Sequence, residues 1–429
     1  MSVSKKIRQQ IFEYADNHIE LLESALEASF EDVHTFQQWV DDRLESLGAS
    51  TDHFSVDSED LKNQPAFREQ FNSESDEIRL GTNVVGRFSG ETDATTLLFA
   101  HADKAPVSYQ HAESGRGFRS ANGRLSGPGI ADDVSGVTAT IAALETLTRA
   151  ELSPSTSVLV ASIFGKQLGV GGTYGLMKRY GPADAAVYVH PAESGQGLGH
   201  LKVGSNGLYE FTIEIEGAQP PTNETHHPLY AHQGENPINI MRPIVQQLQD
   251  WTGVLSERHT HPGVERSAGT SAGLLISDIR TDNGGRPVYE MPRNCTIEAA
   301  LVFPPGVSLD TVEEGIFATL NEAIEGTDVT EISIRRGDHT AESAEAPTDS
   351  PAVNRVADSI ESVTDDLPEF YYGHTASDIR YPMLYWDAPT VGFGPRAGAM
   401  GESGEWIDRD EYLETICALA TFLVEFDPA

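Results

Sequence analysis

The run Thr95-Thr96-Leu97-Leu98-Phe99-Ala100 ends in His101-Ala102-Asp103, and no other stretch constrains the chain as much. An apolar run that closes on an imidazole and a carboxylate reads as a buried strand delivering polar groups to a sheet edge. Downstream, Gly127-Pro128-Gly129-Ile130-Ala131-Asp132-Asp133-Val134-Ser135-Gly136 is a glycine-rich turn with two adjacent acids that runs into an apolar helix. One imidazole and one loop carboxylate on neighbouring strand ends can share a borderline metal such as zinc. Asp103 would then take the proton of the far ring nitrogen of His101 and fix its tautomer. A histidine that is merely hydrogen-bonded at a strand end, followed by an N-cap acid, is the competing reading of so short a motif.

The surrounding pattern sets the fold class. Residues 7–47 are helical by periodicity. Strands are expected at 83–88, 97–100, 157–164 and 185–189, with helices at 136–149 and 172–180 between them. Short apolar strands alternating with helices predict α/β layers around a mixed, largely parallel sheet with flanking helices. Ligand sites in such sheets lie outside the carboxyl ends of strands, where His101, Lys166 and His190 fall. Near Gly207 the pattern changes to β-α-β-β-α-β, the order of a ferredoxin-like α+β sandwich. Residues 208–338 therefore read as an inserted domain, and 1–207 with 339–429 as the domain that carries the site.

Composition narrows the setting. The 429 residues hold 66 acidic against 29 basic groups, a net charge of −37, with the acids scattered rather than gathered in a tail. Such a surface suits a high-salt cytoplasm, where ions screen its self-repulsion, and disfavours nucleic acid as a partner. Cys295 and Cys417 are too few for a disulfide framework. No stretch approaches the roughly 18 apolar residues of a membrane span, and residues 1–16 lack the apolar core of a signal peptide.

These motifs, in this order, resemble the acetylornithine deacetylase / succinyl-diaminopimelate desuccinylase / carboxypeptidase G family of zinc metallopeptidases and deacylases. The likeness includes Asn122-Gly123-Arg124-Leu125, Ser377-Asp378-Ile379-Arg380 and Val391-Gly392-Phe393-Gly394-Pro395, and it spans nearly the whole chain. It implies two zinc ions bridged by one aspartate, a glutamate as general base, and an inserted lid that pairs subunits into a homodimer. Carried over by position, His101 and Asp132 are ligands, Asp132 being the bridge. The ligand that precedes a proline is His190, before Pro191, where the family has a carboxylate.

The second half-site departs from the family. Its adjacent Glu-Glu, base and metal ligand, is replaced by Lys166-Gln167, and Met400-Gly401-Glu402-Ser403-Gly404 lacks the last histidine ligand ahead of Glu405-Trp406. The expectation is one divalent metal, zinc by its ligands, with the Lys166 ammonium paired to Asp132 in place of the second cation. The lid also departs: 288–292 and 297–303 lack the Asn and Arg that grip a substrate carboxylate in the family.

The sequence thus supports a divergent metal-dependent amide hydrolase acting on a small molecule. Asp103, Lys166 and Glu402 are its catalytic candidates, with Glu193 and His374 as further possible bases. His226, His374 and Arg380 are placed on the substrate side. The alternative is a non-catalytic homologue that keeps the clamshell as a ligand- or partner-binding module, since losing a general base costs a hydrolase about 100- to 10,000-fold. A two-histidine, one-carboxylate iron site is a third and weaker reading.

Overall fold

The computed structural model describes residues 3–64, 81–104, 117–167, 171–223, 228–282, 290–325, 331–402 and 404–428. They fall into two compact units, one from 3–64, 81–205 and 344–428 and the other from 206–343.

In the first unit, the main sheet of the described residues runs in the order Ser50–Ser55, Thr82–Phe88, Thr156–Ile163, Thr92–His101, Ala185–Val189, Thr390–Phe393, His200–Lys202, Glu369–Tyr371. Thr92–His101 has parallel neighbours on both sides, with Leu97 opposite Leu159 and Ala186. A strand covered on both faces must be apolar throughout, which is why Leu97 to Ala100 is an unbroken hydrophobic run. Its one buried hydroxyl pair, Thr96 with Thr156 at 2.7 Å, satisfies itself. Because these central strands share a direction, the residues after them emerge at one edge, bringing 101–103, 164–167 and 190–193 together.

Helix Ser135–Arg149 packs on Thr92–His101 and Ala185–Val189, and against helix Arg409–Glu425. Its threonines return their hydroxyls to the preceding turn, as Thr138 does to Val134 O at 2.9 Å, so they can be buried with Val137, Ile141 and Leu144. Gly136 permits the close approach, since a Cβ there would lie 1.8 Å from Val189 O. The helix expected across 7–47 is three helices, Val3–Glu13, Ala15–Glu31 and Val33–Ser46. The last break is at Asp32, whose extended backbone and side chain cap Thr35 N at 2.7 Å.

His18, on helix Ala15–Glu31, is buried with neither ring nitrogen hydrogen-bonded. Burial, then nearby Arg149, hold its pKa at about 4 instead of 6.5. The unfolded chain takes up this proton first, so the stability associated with His18 is full above pH 6.5 and is lost as pH falls toward 4. His18→Leu should remove about 2 kcal/mol of destabilisation at pH 5 and leave pH 8 nearly unaffected on this account. Urea denaturation at both pH values checks it, and an unchanged difference between them would count against a buried neutral imidazole.

The second unit is an antiparallel sheet in the order Gly273–Asp282, Asn294–Phe303, Gly207–Glu216, Glu331–Ala341, covered by helices Pro237–Arg258 and Leu309–Ala323. Strand Gly207–Glu216 alternates strictly, with Tyr209, Phe211, Ile213 and Ile215 buried against Ile244, Leu248 and Ile316. Its order and connections are those of the ferredoxin-like sandwich. No helix among the described residues is long and apolar enough to cross a membrane.

Candidate metal centre

Three side chains from three chain segments meet at the edge where the parallel strands end. His101 closes Thr92–His101, Asp132 sits in the turn before helix Ser135–Arg149, and His190 follows Ala185–Val189. Asp132 Oδ1 lies 2.7 Å from His101 Nε2 and 3.1 Å from His190 Nε2. All three are buried, and their ligand atoms lie within 4.8 Å of one another. Each imidazole has its other nitrogen on a main-chain oxygen, His101 Nδ1 at 2.6 Å from Asp103 O and His190 Nδ1 at 2.7 Å from Pro191 O. If both Nδ1 atoms donate to those carbonyls, two bare Nε2 lone pairs converge on a carboxylate oxygen. Such lone pairs face the carboxylate oxygen favourably when a cation lies between them, or when a proton on Nε2 makes the imidazole a donor.

The electrostatics follow from burial and from these neighbours. Burial opposes a charged His101, but the adjoining Asp132 carboxylate outweighs it and holds the imidazole pKa well above its usual value. Burial likewise opposes a charged Asp132, and His101 and His190 hold its carboxyl well below the usual range. Burial, reinforced by the Lys202 ammonium, pulls His190 down to about 4. Asp133 accepts from His101 N at 3.2 Å, and burial pushes its carboxyl well up.

The far oxygen of Asp132 is taken by an amide. Gln167 Nε2 donates to Oδ2 at 2.7 Å, so the neutral Gln167, and not Lys166, occupies that side of the aspartate. The Lys166 ammonium turns instead to Ala376 O at 3.2 Å and to Asp378 Oδ1 at 3.8 Å. Asp103 also differs from expectation, because the backbone oxygen of Asp103, not its carboxylate, faces His101 Nδ1, with Oδ1 3.6 Å away. The Asp103 carboxylate accepts from Lys166 N at 3.1 Å and Gln167 N at 2.7 Å, which ties the 101–103 segment to the neighbouring strand end.

A second sheet presents the turn that carries Asp132. Asn122 and Gly123, both at positive φ, form the two-residue loop between Arg119–Ala121 and Arg124–Ser126, and Arg124–Ser126 pairs with Trp406–Asp408. That pairing sets Glu405 beside the turn. Its carboxylate accepts from Gly129 N (2.9 Å), Ala131 N (2.7 Å) and Asp132 N (2.8 Å). Burial raises the Glu405 carboxyl to about 7 against the pull of those donors.

The remaining candidates have definite places. His374 contacts Glu193 and stands edge-on to His190, with ring centroids 6.4 Å apart. Burial raises the Glu193 carboxyl, but Lys202 and His374 overcome it and hold it low. Arg380 is buried, donating to Ala376 O, Ser377 O and the Tyr381 hydroxyl, so it braces its own loop. Glu402 is exposed, while Glu405 three residues on is the buried acid. His226 lies outside the described residues. Sequence reasoning missed the supporting roles of Glu405 and Lys202. The signal for Lys202 was available, a lysine flanked by Leu201 and Val203 in a chain with only seven lysines.

Known proteins agree with this architecture. The chain is similar over its full length to human carnosine dipeptidase 1, with a TM-score of 0.70, 13% identity and 99% of each chain covered. The dipeptidase Dug1p from Saccharomyces cerevisiae also scores 0.70, at 13% identity with all of both chains covered. By sequence, N-formyl-4-amino-5-aminomethyl-2-methylpyrimidine deformylase from Bacillus subtilis (strain 168) is 23% identical over 285 residues, 64% of this chain. That match spans 59% of the deformylase. The profile of Peptidase family M20/M25/M40 matches residues 97–425. The chain belongs to this family of peptidases and related hydrolases.

Proposed function

We propose that the chain is a divergent metal-dependent hydrolase of an amide bond, with one metal held by His101, Asp132 and His190. The observation that carries the reading is the division of labour at Asp132, where Oδ1 faces two imidazoles and Oδ2 is occupied by Gln167. The donor set fits a zinc-type ion, being two neutral imidazoles backed by main-chain carbonyls and one carboxylate. Bound there, the ion would acidify a water and polarise an amide carbonyl. A second ion finds an amide and an ammonium, Gln167 and Lys166, where the resemblance calls for carboxylates.

The protein's own residues divide the rest of the work. Lys166, held by Asp378 and Ala376 O, supplies positive charge in place of the family's base. Base duty falls to His374, oriented by Glu193 beside His190. The deformylase and dipeptidase names both denote amide cleavage, which supports the bond class. Within the family we place the chain beside the deacylases and carboxypeptidases that its motif order resembles. A soluble, cytoplasmic homodimer assembled through 208–338 in high salt completes the proposal.

The engagement of Lys166 favours one competing reading, a binding module without turnover. Zinc-loaded protein in molar KCl, offered N-formyl and N-acyl amines and dipeptides, separates the two. Turnover that His374→Ala lowers about 100-fold or more supports the hydrolase. Bound zinc without hydrolysis of any of them leaves the binding module.

A further inference from the structure

Lys202 is fully buried, an uncommon place for an ammonium, because desolvating one costs several kcal/mol unless partners compensate. Its strand, His200–Lys202, is separated from Ala185–Val189 by Thr390–Phe393, so the side chain must cross an intervening strand to approach His190. Gly392, paired with Lys202, makes that possible, since a Cβ at Gly392 would lie 2.7 Å from Lys202 Cε. Beyond the glycine the ammonium donates to Pro191 O at 3.1 Å and meets Glu193 Oε1 at 3.4 Å. It lies 3.0 Å from His190 Nδ1 and 5.2 Å from the centre of the Tyr188 ring. That ring stacks on His190, with centroids 5.0 Å apart and planes 15° apart. One face of the His190 imidazole is therefore set by Tyr188, and its Nδ1 edge by the carbonyl that Lys202 also grips.

We propose that Lys202, anchored by Glu193 and admitted by Gly392, is the positioning residue of the His190 ring. The proposal rests on the one-metal reading for its consequence, which is that Nε2 of His190 is kept on Asp132 and available to an ion. Lys166, which the sequence suggested as a cation paired to Asp132, faces Asp378, and Lys202 acts at the opposite, Nδ1 edge of His190.

Two variants test it, Lys202→Met and the double variant Lys202→Met/Glu193→Gln, which leaves no orphaned buried charge if the single variant fails to fold. Zinc affinity is read by competition with a chromophoric chelator, and the ring nitrogens of His190 by 15N NMR on metal-free protein. The double variant should bind zinc about 10- to 100-fold more weakly, because Pro191 O, the acceptor at His190 Nδ1, loses the ammonium that holds it in place. Its metal-free His190 signals should shift toward a mixture of tautomers. Wild-type zinc affinity together with wild-type ring shifts overturns the role of Lys202. If wild-type protein binds no zinc, the one-metal reading falls, and the ring shifts alone decide, changed shifts supporting the positioning role and unchanged shifts overturning it.

Discussion

Asp132→Asn should weaken zinc binding by more than about 100-fold, beyond what loss of an outer partner costs. In the proposed site the carboxylate is the one anionic ligand, and its Oδ1 is the point on which both Nε2 atoms converge. Asparagine keeps the volume and can still meet Gln167, so the fold should persist while the charge that draws a cation between the imidazoles is gone. Gln167→Ala is the matched control, because Gln167 touches Oδ2 alone and should alter affinity by much less. Chelator competition on both variants, with circular dichroism to check folding, gives the comparison. Equal losses in the two variants would mean that Asp132 acts as a bridge to both sides and that the site is not divided as described.

Glu405→Ala should destabilise the metal-free protein by about 3–5 kcal/mol. Three backbone N–H groups, of Gly129, Ala131 and Asp132, would lose their buried acceptor at once. Hydrogen bonds to charged groups contribute about 1.5–3 kcal/mol each, and the desolvation of the carboxylate offsets part of their sum. Glu405→Gln retains an acceptor oxygen and should recover roughly half of the loss. Urea denaturation measures both. A change below about 1 kcal/mol for the alanine variant would show that the turn is held by the sheet Arg124–Ser126 with Trp406–Asp408 and not by this carboxylate.

Much of this architecture was legible because its causes are local or periodic. The unbroken run Leu97 to Ala100 marks a strand with neighbours on both faces, and the alternation of Leu208 to Glu216 marks a sheet with one open face. Parallel direction then collects His101 and His190 at one edge without further information. Details that depend on a rotamer or on a partner distant in sequence were not legible. Adjacent positions 166 and 167 send their side chains to different acids, Asp378 and Asp132, and spacing does not distinguish the two outcomes. The Asp103 carboxylate was assigned to the imidazole two residues away, but two N–H groups on the next strand end hold it. Glu405 reaches the Asp132 turn through the pairing of strands more than 270 residues apart, and Lys202 reaches His190 past Gly392, where a Cβ would lie 2.7 Å from its Cε.

Native mass spectrometry of wild-type protein, saturated with zinc and then desalted, counts the ions held per chain. One zinc per chain, absent from His190→Ala, is the predicted result. Two tightly held zinc ions per chain, or none, would contradict a single half-site built from His101, Asp132 and His190.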